Sequence, residues 1–124
     1  MPISTIHRNQ FEARQRTVER RQREDAAPRL CKEIPRLGYL RFEIENGDSK
    51  YAWPIVVERA PALFNFRCSD DTCKDGGHDM TGDVMSALRR SSGRMEGDDE
   101  CHGQVGSGTC GRILRYVGVA TYRQ

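Results

Sequence analysis

In Tyr39-Leu40-Arg41-Phe42-Glu43-Ile44-Glu45, apolar Leu40, Phe42 and Ile44 alternate with charged Arg41, Glu43 and Glu45. Successive side chains of a strand point to opposite faces, so a period of two reads as a half-buried β-strand. Outward from it, Asn46-Gly47-Asp48-Ser49 supplies turn residues. A second strand follows from Tyr51 to Arg59, with Tyr51, Trp53, Ile55 and Val57 on one face. Pro54 has no N–H to give a ladder, so that strand lies at an edge or begins late. After Ala60-Pro61, the short run Leu63-Phe64-Asn65-Phe66-Arg67 reads as a third strand leading into Cys68, and Arg112 to Tyr122 as the last.

One helix is expected between them, from Gly82 to about Arg90. Thr81 is its expected N-cap, Asp83 complements the positive helix start, and Met80 and Met85 stand where a hydrophobic staple would. Val84, Met85 and Leu88 give it one apolar face, and Ser91-Ser92-Gly93 ends it. The expected fold class is therefore α+β. A small antiparallel sheet is built from the hairpin at 39–59 and the strands at 63–67 and 112–122, with one packed helix.

Upstream the composition changes. Residues 7–29 hold Arg8, Arg14, Arg16, Arg20, Arg21, Arg23 and Arg29 against Glu12, Glu19, Glu24 and Asp25, a net charge of +3, with Phe11 and Val18 as the only large apolar side chains. Glu12 and Arg16, Glu19 and Arg23, and Arg20 and Glu24 stand at i,i+4 spacing, each pair supporting a helix by about 0.2–0.5 kcal/mol. This predicts a charged N-terminal helix over about 10–26, ended by Pro28. The chain divides accordingly into an Arg-rich helical arm at 1–29 and an α+β domain at 30–124.

The whole chain is 124 residues, 36% hydrophobic and 31% charged, with a net charge of +2. A chain of this size has one modest core and gains from a staple, for which five cysteines are the available material. No apolar run approaches the roughly 18 residues of a membrane helix, and the opening residues lack a secretory h-region. A soluble, cytoplasmic protein without a membrane partner is expected. In that reducing setting paired cysteines point to metal binding before disulfides.

Four cysteines form two pairs: Cys68 and Cys73 with four residues between them, and Cys101 and Cys110 with eight. Each pair adjoins a strand end and a turn rich in small or polar residues. Tight turns of this kind let thiolates converge at about 2.3 Å on one tetrahedral ion, so one structural Zn2+ on Cys68, Cys73, Cys101 and Cys110 is expected. Unligated cysteines and two local disulfides are the alternatives to it. His78, after Gly76-Gly77, and His102, beside Cys101, are possible substitutes for one cysteine. Gly111 would let backbone amides turn toward the last thiolate. Cys31 reads as a small apolar side chain.

Catalytic signatures are missing: there is no H-E-x-x-H, no deaminase H-x-E with P-C-x-x-C, and the Gly103–Gly111 run lacks the Lys of a P-loop. The Glu96–Glu100 run reads as a solvated acidic face.

The paired knuckles and the Cys110-Gly111 step resemble a zinc ribbon or treble clef, over residues 63–122 at most. The expected function is that of a small non-enzymatic zinc-binding adaptor. Its Arg-rich helix would contact nucleic acid or a nucleic-acid-associated complex through Arg14, Arg16, Arg20, Arg21 and Arg23. The alternative is a protein-interaction or assembly subunit with a purely structural zinc. A zinc hydrolase-type enzyme, with His78 or His102 at an open site, ranks third.

Overall fold

The computed structural model describes residues 14–15 and 18–124, a mixed α+β chain with one small antiparallel sheet. In chain order the elements are α1 (Leu30–Glu33), β1 (Leu37–Asn46), β2 (Ser49–Ile55), β3 (Asn65–Phe66), β4 (His78–Asp79), α2 (Thr81–Arg89), β5 (Arg94–Glu100), β6 (Gln104–Val105), β7 (Gly108–Thr109) and β8 (Ile113–Tyr122). Four strands form the main sheet in the order β2-β1-β8-β5, and β3-β4 and β6-β7 form separate two-stranded ribbons. Among the described residues, no helix is long and apolar enough to cross a membrane.

The alternation at 39–45 becomes the long central strand β1. Leu40, Phe42 and Ile44 are buried and pair in register with Ala120, Gly118 and Tyr116 of β8. The apolar face of the sheet is covered by Leu30 and Ile34 from α1 and its end, by Val84, Met85, Ala87 and Leu88 of α2, and by Phe64 and Met80. Each such large side chain, fully buried, stabilises the fold by about 1.5–3 kcal/mol. Phe42 is the hub: its ring centroid lies 5.8 Å from Trp53, 5.7 Å from Phe64 and 6.0 Å from Tyr116. Gly118 lies across from it because there is no room for more. A Cβ there would sit 2.7 Å from Phe42 Cε1 and 3.0 Å from Met95 Cγ.

The edge position expected from Pro54 is found, with β2 outermost. The strand stops at Ile55 rather than Arg59, because Val56 begins a turn whose carbonyl accepts from Arg59 N (3.0 Å) and Ala60 N (2.9 Å). Tyr51 is exposed at the far end of the strand, while Trp53 and Ile55 are half-buried.

The expected third strand is a larger correction. Only Asn65 and Phe66 are extended, and they pair with Asp79 and His78, away from the main sheet. Phe64 is buried with its N–H donated to Thr81 Oγ1 (2.8 Å), which turns the chain toward α2. The vacated sheet position is filled by β5, the run expected to be a solvated acidic face. Its Met95 and Gly97 point inward between outward Arg94, Glu96 and Asp98, a pattern that an edge strand with one wet face allows. The helix α2 falls within one residue of expectation, but its N-cap is Met80, whose side chain makes no capping hydrogen bond. The Thr81 hydroxyl is occupied by Phe64, and Asp79 Oδ1 accepts from Thr81 N instead (3.0 Å).

Of the helix expected over 10–26, residues 14–15 and 18–26 are helical, and positions 10–13 and 16–17 lie outside the described residues. The segment after Pro28 is tied to the domain: Leu30 N donates to Ala60 O (3.0 Å) and Ala62 N to Pro28 O (2.8 Å).

Candidate metal centre

The four paired cysteines come from four different strand ends. Cys68 follows β3, Cys73 precedes β4, Cys101 follows β5 and Cys110 lies between β7 and β8. Two local turns carry them. In the first, Asp70 Oδ1 accepts from Thr72 N (2.9 Å) and Thr72 Oγ1 (2.6 Å), and Cys73 N donates to Asp70 O (3.1 Å), which folds the span from Cys68 to Cys73 back on itself. Those Thr72 contacts hold the Asp70 carboxyl below the usual carboxylate range. In the second, β6 and β7 form a ribbon turning at Gly106 (φ +60°), which returns Cys110 to the vicinity of Cys101. Reciprocal bonds between Lys74 and Gln104, N to O at 2.8 Å each way, join the two turns.

The result is a cluster in which all four Sγ atoms lie within 4.8 Å of one another. Cys68 and Cys110 approach to 3.5 Å and Cys73 and Cys101 to 3.6 Å, contacts that run between the knuckles. A disulfide needs about 2.05 Å, so these are free thiols. Four sulfurs at about 2.3 Å from one tetrahedral ion would be spaced by about 3.8 Å. The observed separations are close to that value, and the cluster can hold a metal ion.

Glycine makes the convergence possible. A Cβ on Gly76 would overlap the sulfurs of Cys73 and Cys101, and one on Gly103 would overlap that of Cys73. The backbone also supplies donors: Asp70 N lies 3.4 Å from Cys68 Sγ and Gly77 N 3.3 Å from Cys101 Sγ. Gly111, expected to aim amides at the last thiolate, has another task. It adopts φ +72° and donates its N–H to Cys101 O at 3.0 Å.

The electrostatics of the thiols are unequal. Cys101 is 1% exposed, and burial alone would raise its thiol. The amides of Gly103 and Gly77 and the neighbouring thiols outweigh that effect and bring it down to about 7. For Cys68 and Cys73, burial is the dominant influence, and both thiols are pushed up. A divalent cation would relieve the crowding of four ionised sulfurs, since it favours thiolate over thiol outright.

Neither candidate histidine joins the cluster. His78 is buried at 2% exposure and its Nδ1 meets Asp99 Oδ2 at 2.8 Å, while His102 is exposed. Cys31 packs against the core near Glu58 O (3.9 Å), apart from the four. The supporting residues Gly76, Gly77, Gly103 and Asp99 were not singled out by sequence reasoning, although the Gly76-Gly77 pair beside Cys73 carried a signal. Of the arm arginines, Arg14, Arg20, Arg21 and Arg23 are described and exposed, with Arg20 meeting Glu24 at 3.9 Å, and Arg16 lies outside the described residues. No protein-family model, curated protein or solved structure matches this chain.

Proposed function

We propose that the chain is a small non-enzymatic adaptor in which Cys68, Cys73, Cys101 and Cys110 hold one structural zinc ion. The observation that carries this reading is the convergence of four thiols within 4.8 Å. Four thiolates complete a tetrahedral shell, which leaves zinc without the open position that hydrolytic chemistry requires. Among first-row metals in a four-sulfur tetrahedral shell, zinc and iron are the usual occupants, and a given site of this kind binds Zn2+ more tightly than Fe2+. The ion would supply cross-linking: it joins the segment after β3 to the strand ends of β5 and β8. Metal content of the purified protein tests the reading. One zinc per chain is expected in the wild type and none in Cys68→Ser or Cys101→Ser, and a metal-free wild type refutes it.

For the partner, nucleic acid or a nucleic-acid-associated complex is supported by the net +3 of the segment at 7–29 and its arginines. Phosphate contacts of that kind weaken steeply with salt. An RNA or DNA affinity that is the same at low and physiological salt refutes this assignment.

A protein partner is the second reading, and one observation favours it. Within the helical residues 18–26, three arginines stand against three acids, so that stretch is neutral. Arg20 and Glu24 border a cavity of about 170 Å³ whose apolar wall includes Trp53, Ile55, Leu63 and Phe64. Oligomerisation lost on deleting residues 1–27 would select this reading over nucleic acid.

A further inference from the structure

We propose that His78 and Asp99 form a positioning clamp for the metal centre, holding the Gly77 amide against Cys101 and so tuning its thiolate as a ligand. The inference rests on the four-thiol zinc reading above. It concerns two residues that lie outside the ligand set.

The geometry is a closed ring. Cys101 directly follows β5, whose residue Asp99 reaches across to His78 Nδ1 at 2.8 Å. A carboxylate only accepts hydrogen bonds, so the ring nitrogen donates. His78 is held in β4 by pairing with Phe66, and the residue before it, Gly77, gives its N–H to Cys101 Sγ at 3.3 Å. The circuit from Cys101 through Glu100, Asp99, His78 and Gly77 therefore returns to the same sulfur. Gly77 adopts φ +128°, a conformation that side-chain-bearing residues rarely take, and its amide direction is set by what holds its neighbour.

A packing role does not account for His78. Its side chain is fully buried and its Nε2 has no hydrogen-bond partner. A bare buried ring nitrogen costs about 1–3 kcal/mol, which an apolar residue of similar size would avoid. The one bond the imidazole makes is the one that joins β4 to the strand carrying Cys101. Partners of this kind, which orient groups contacting a metal ligand, typically change affinity by about 10–100-fold when removed.

Asp99 is one-third exposed, so replacing it does not open the core, and it is the better test position. Metal content of the wild type comes first, and its absence would overturn this proposal together with the zinc reading. With metal bound, Zn2+ affinity by chelator competition and the thiolate-to-metal charge-transfer band of the Co2+-loaded protein are compared for Asp99→Ala, Asp99→Asn and Tyr122→Phe. Tyr122 donates to Ser92 O (2.7 Å) at the opposite end of β5 and β8 from Cys101 and Cys110, and serves as the control for general loosening of the fold. Asp99→Ala is expected to bind one metal about 10–100-fold more weakly, with the band at lower energy because a thiolate relieved of its amide donor gives up charge more readily. Asp99→Asn keeps an oxygen acceptor and restores both values, and Tyr122→Phe changes neither. An unmoved band in Asp99→Ala, no rescue in Asp99→Asn, or the same band shift in Tyr122→Phe would each overturn the clamp while leaving the zinc site in place.

Discussion

Replacing Gly103 by alanine adds one methyl group where the two knuckles touch. The new Cβ would lie 2.7 Å from Gly76 Cα and 2.7 Å from the Lys74 carbonyl oxygen, and would overlap Cys73 Sγ. Ordinary contact begins near 3.4 Å, so these neighbours must separate by about 0.7 Å. Two of the three obstacles are backbone atoms, and they are held by the reciprocal Lys74–Gln104 bonds of 2.8 Å. Losing both bonds costs about 1–3 kcal/mol at the usual net value of about 0.5–1.5 kcal/mol each. The sulfur of Cys73 must move as well, and a metal site accepts displacements of only about 0.2 Å in ligand distance. At about 1.4 kcal/mol per decade, the Zn2+ affinity of Gly103→Ala should fall about 5- to 150-fold. Competition against a coloured chelator at neutral pH measures it. Gly106→Ala is the comparison, since its φ of +60° carries a left-handed penalty of about 1–2 kcal/mol while nothing lies within 4 Å of its Cβ. That variant should loosen the β6-β7 ribbon and keep near-normal affinity. Wild-type affinity in Gly103→Ala would refute the view that glycine makes room for the sulfurs.

Metal affinity should rise with pH. Cys68 and Cys73 have raised thiols and are protonated near neutrality, while Cys101 at about 7 is half ionised there, so binding displaces protons and weakens as pH falls. Calorimetric titrations in buffers of different ionisation enthalpy should show net proton release at pH 7, and affinity independent of pH from 6 to 8 would contradict this. Gly118→Ala forces a methyl group against Phe42 and Met95 and should destabilise the loaded protein by about 1–3 kcal/mol in denaturant melts, with no change in metal stoichiometry. An unshifted midpoint would mean that the sheet has slack at its centre. Gly82→Ala in α2 meets nothing within 4 Å and should stabilise by about 0.5–1 kcal/mol through helix propensity, so a lowered melting temperature would argue against the helix boundary.

Strongly periodic segments were legible from local pattern. The alternation at 39–45 is β1, the apolar run after Arg112 is β8, and Pro54 marks an edge, because each depends on one strand's own side chains. The cysteine cluster was legible for a related reason: thiols beside turn residues carry their chemistry with them. What failed were features decided by a distant partner. The Thr81 hydroxyl is taken by the amide of Phe64, 17 positions away, so no local capping rule could place it. Leu63–Arg67 looked like a sheet strand, but Phe64 is drawn to α2 and Cys68 to the thiol cluster, which leaves two residues to pair with β4. Gly103 read only as part of a glycine-rich run without the Lys of a P-loop, yet its small size answers to Cys73, thirty residues earlier.

The strand β5 shows how the metal centre and the sheet depend on each other. Arg94-Met95-Glu96-Gly97-Asp98-Asp99-Glu100 has low strand propensity, and its inward residues are one methionine, one glycine and one aspartate. Each is explained by something else in the fold. Met95 packs across from Gly118, a Cβ on Gly97 would crowd the ring of Tyr116, and Asp99 is bonded to His78. An acidic edge strand of this composition gains little from burial, so its pairing with β8 must be supported at its ends. At the lower end Cys101 N donates to Arg112 O at 2.7 Å, Gly111 N returns to Cys101 O at 3.0 Å, and the Cys101 sulfur enters the thiol cluster. The thiol cluster and the strand pairing thus share one residue. Removing the metal should open β5 before β1 or β2, and amide exchange in the chelated protein should rise first along 94–101 while Leu40 and Phe42 stay protected. Uniform loss of protection across all four strands would instead show that the ion holds up the entire fold.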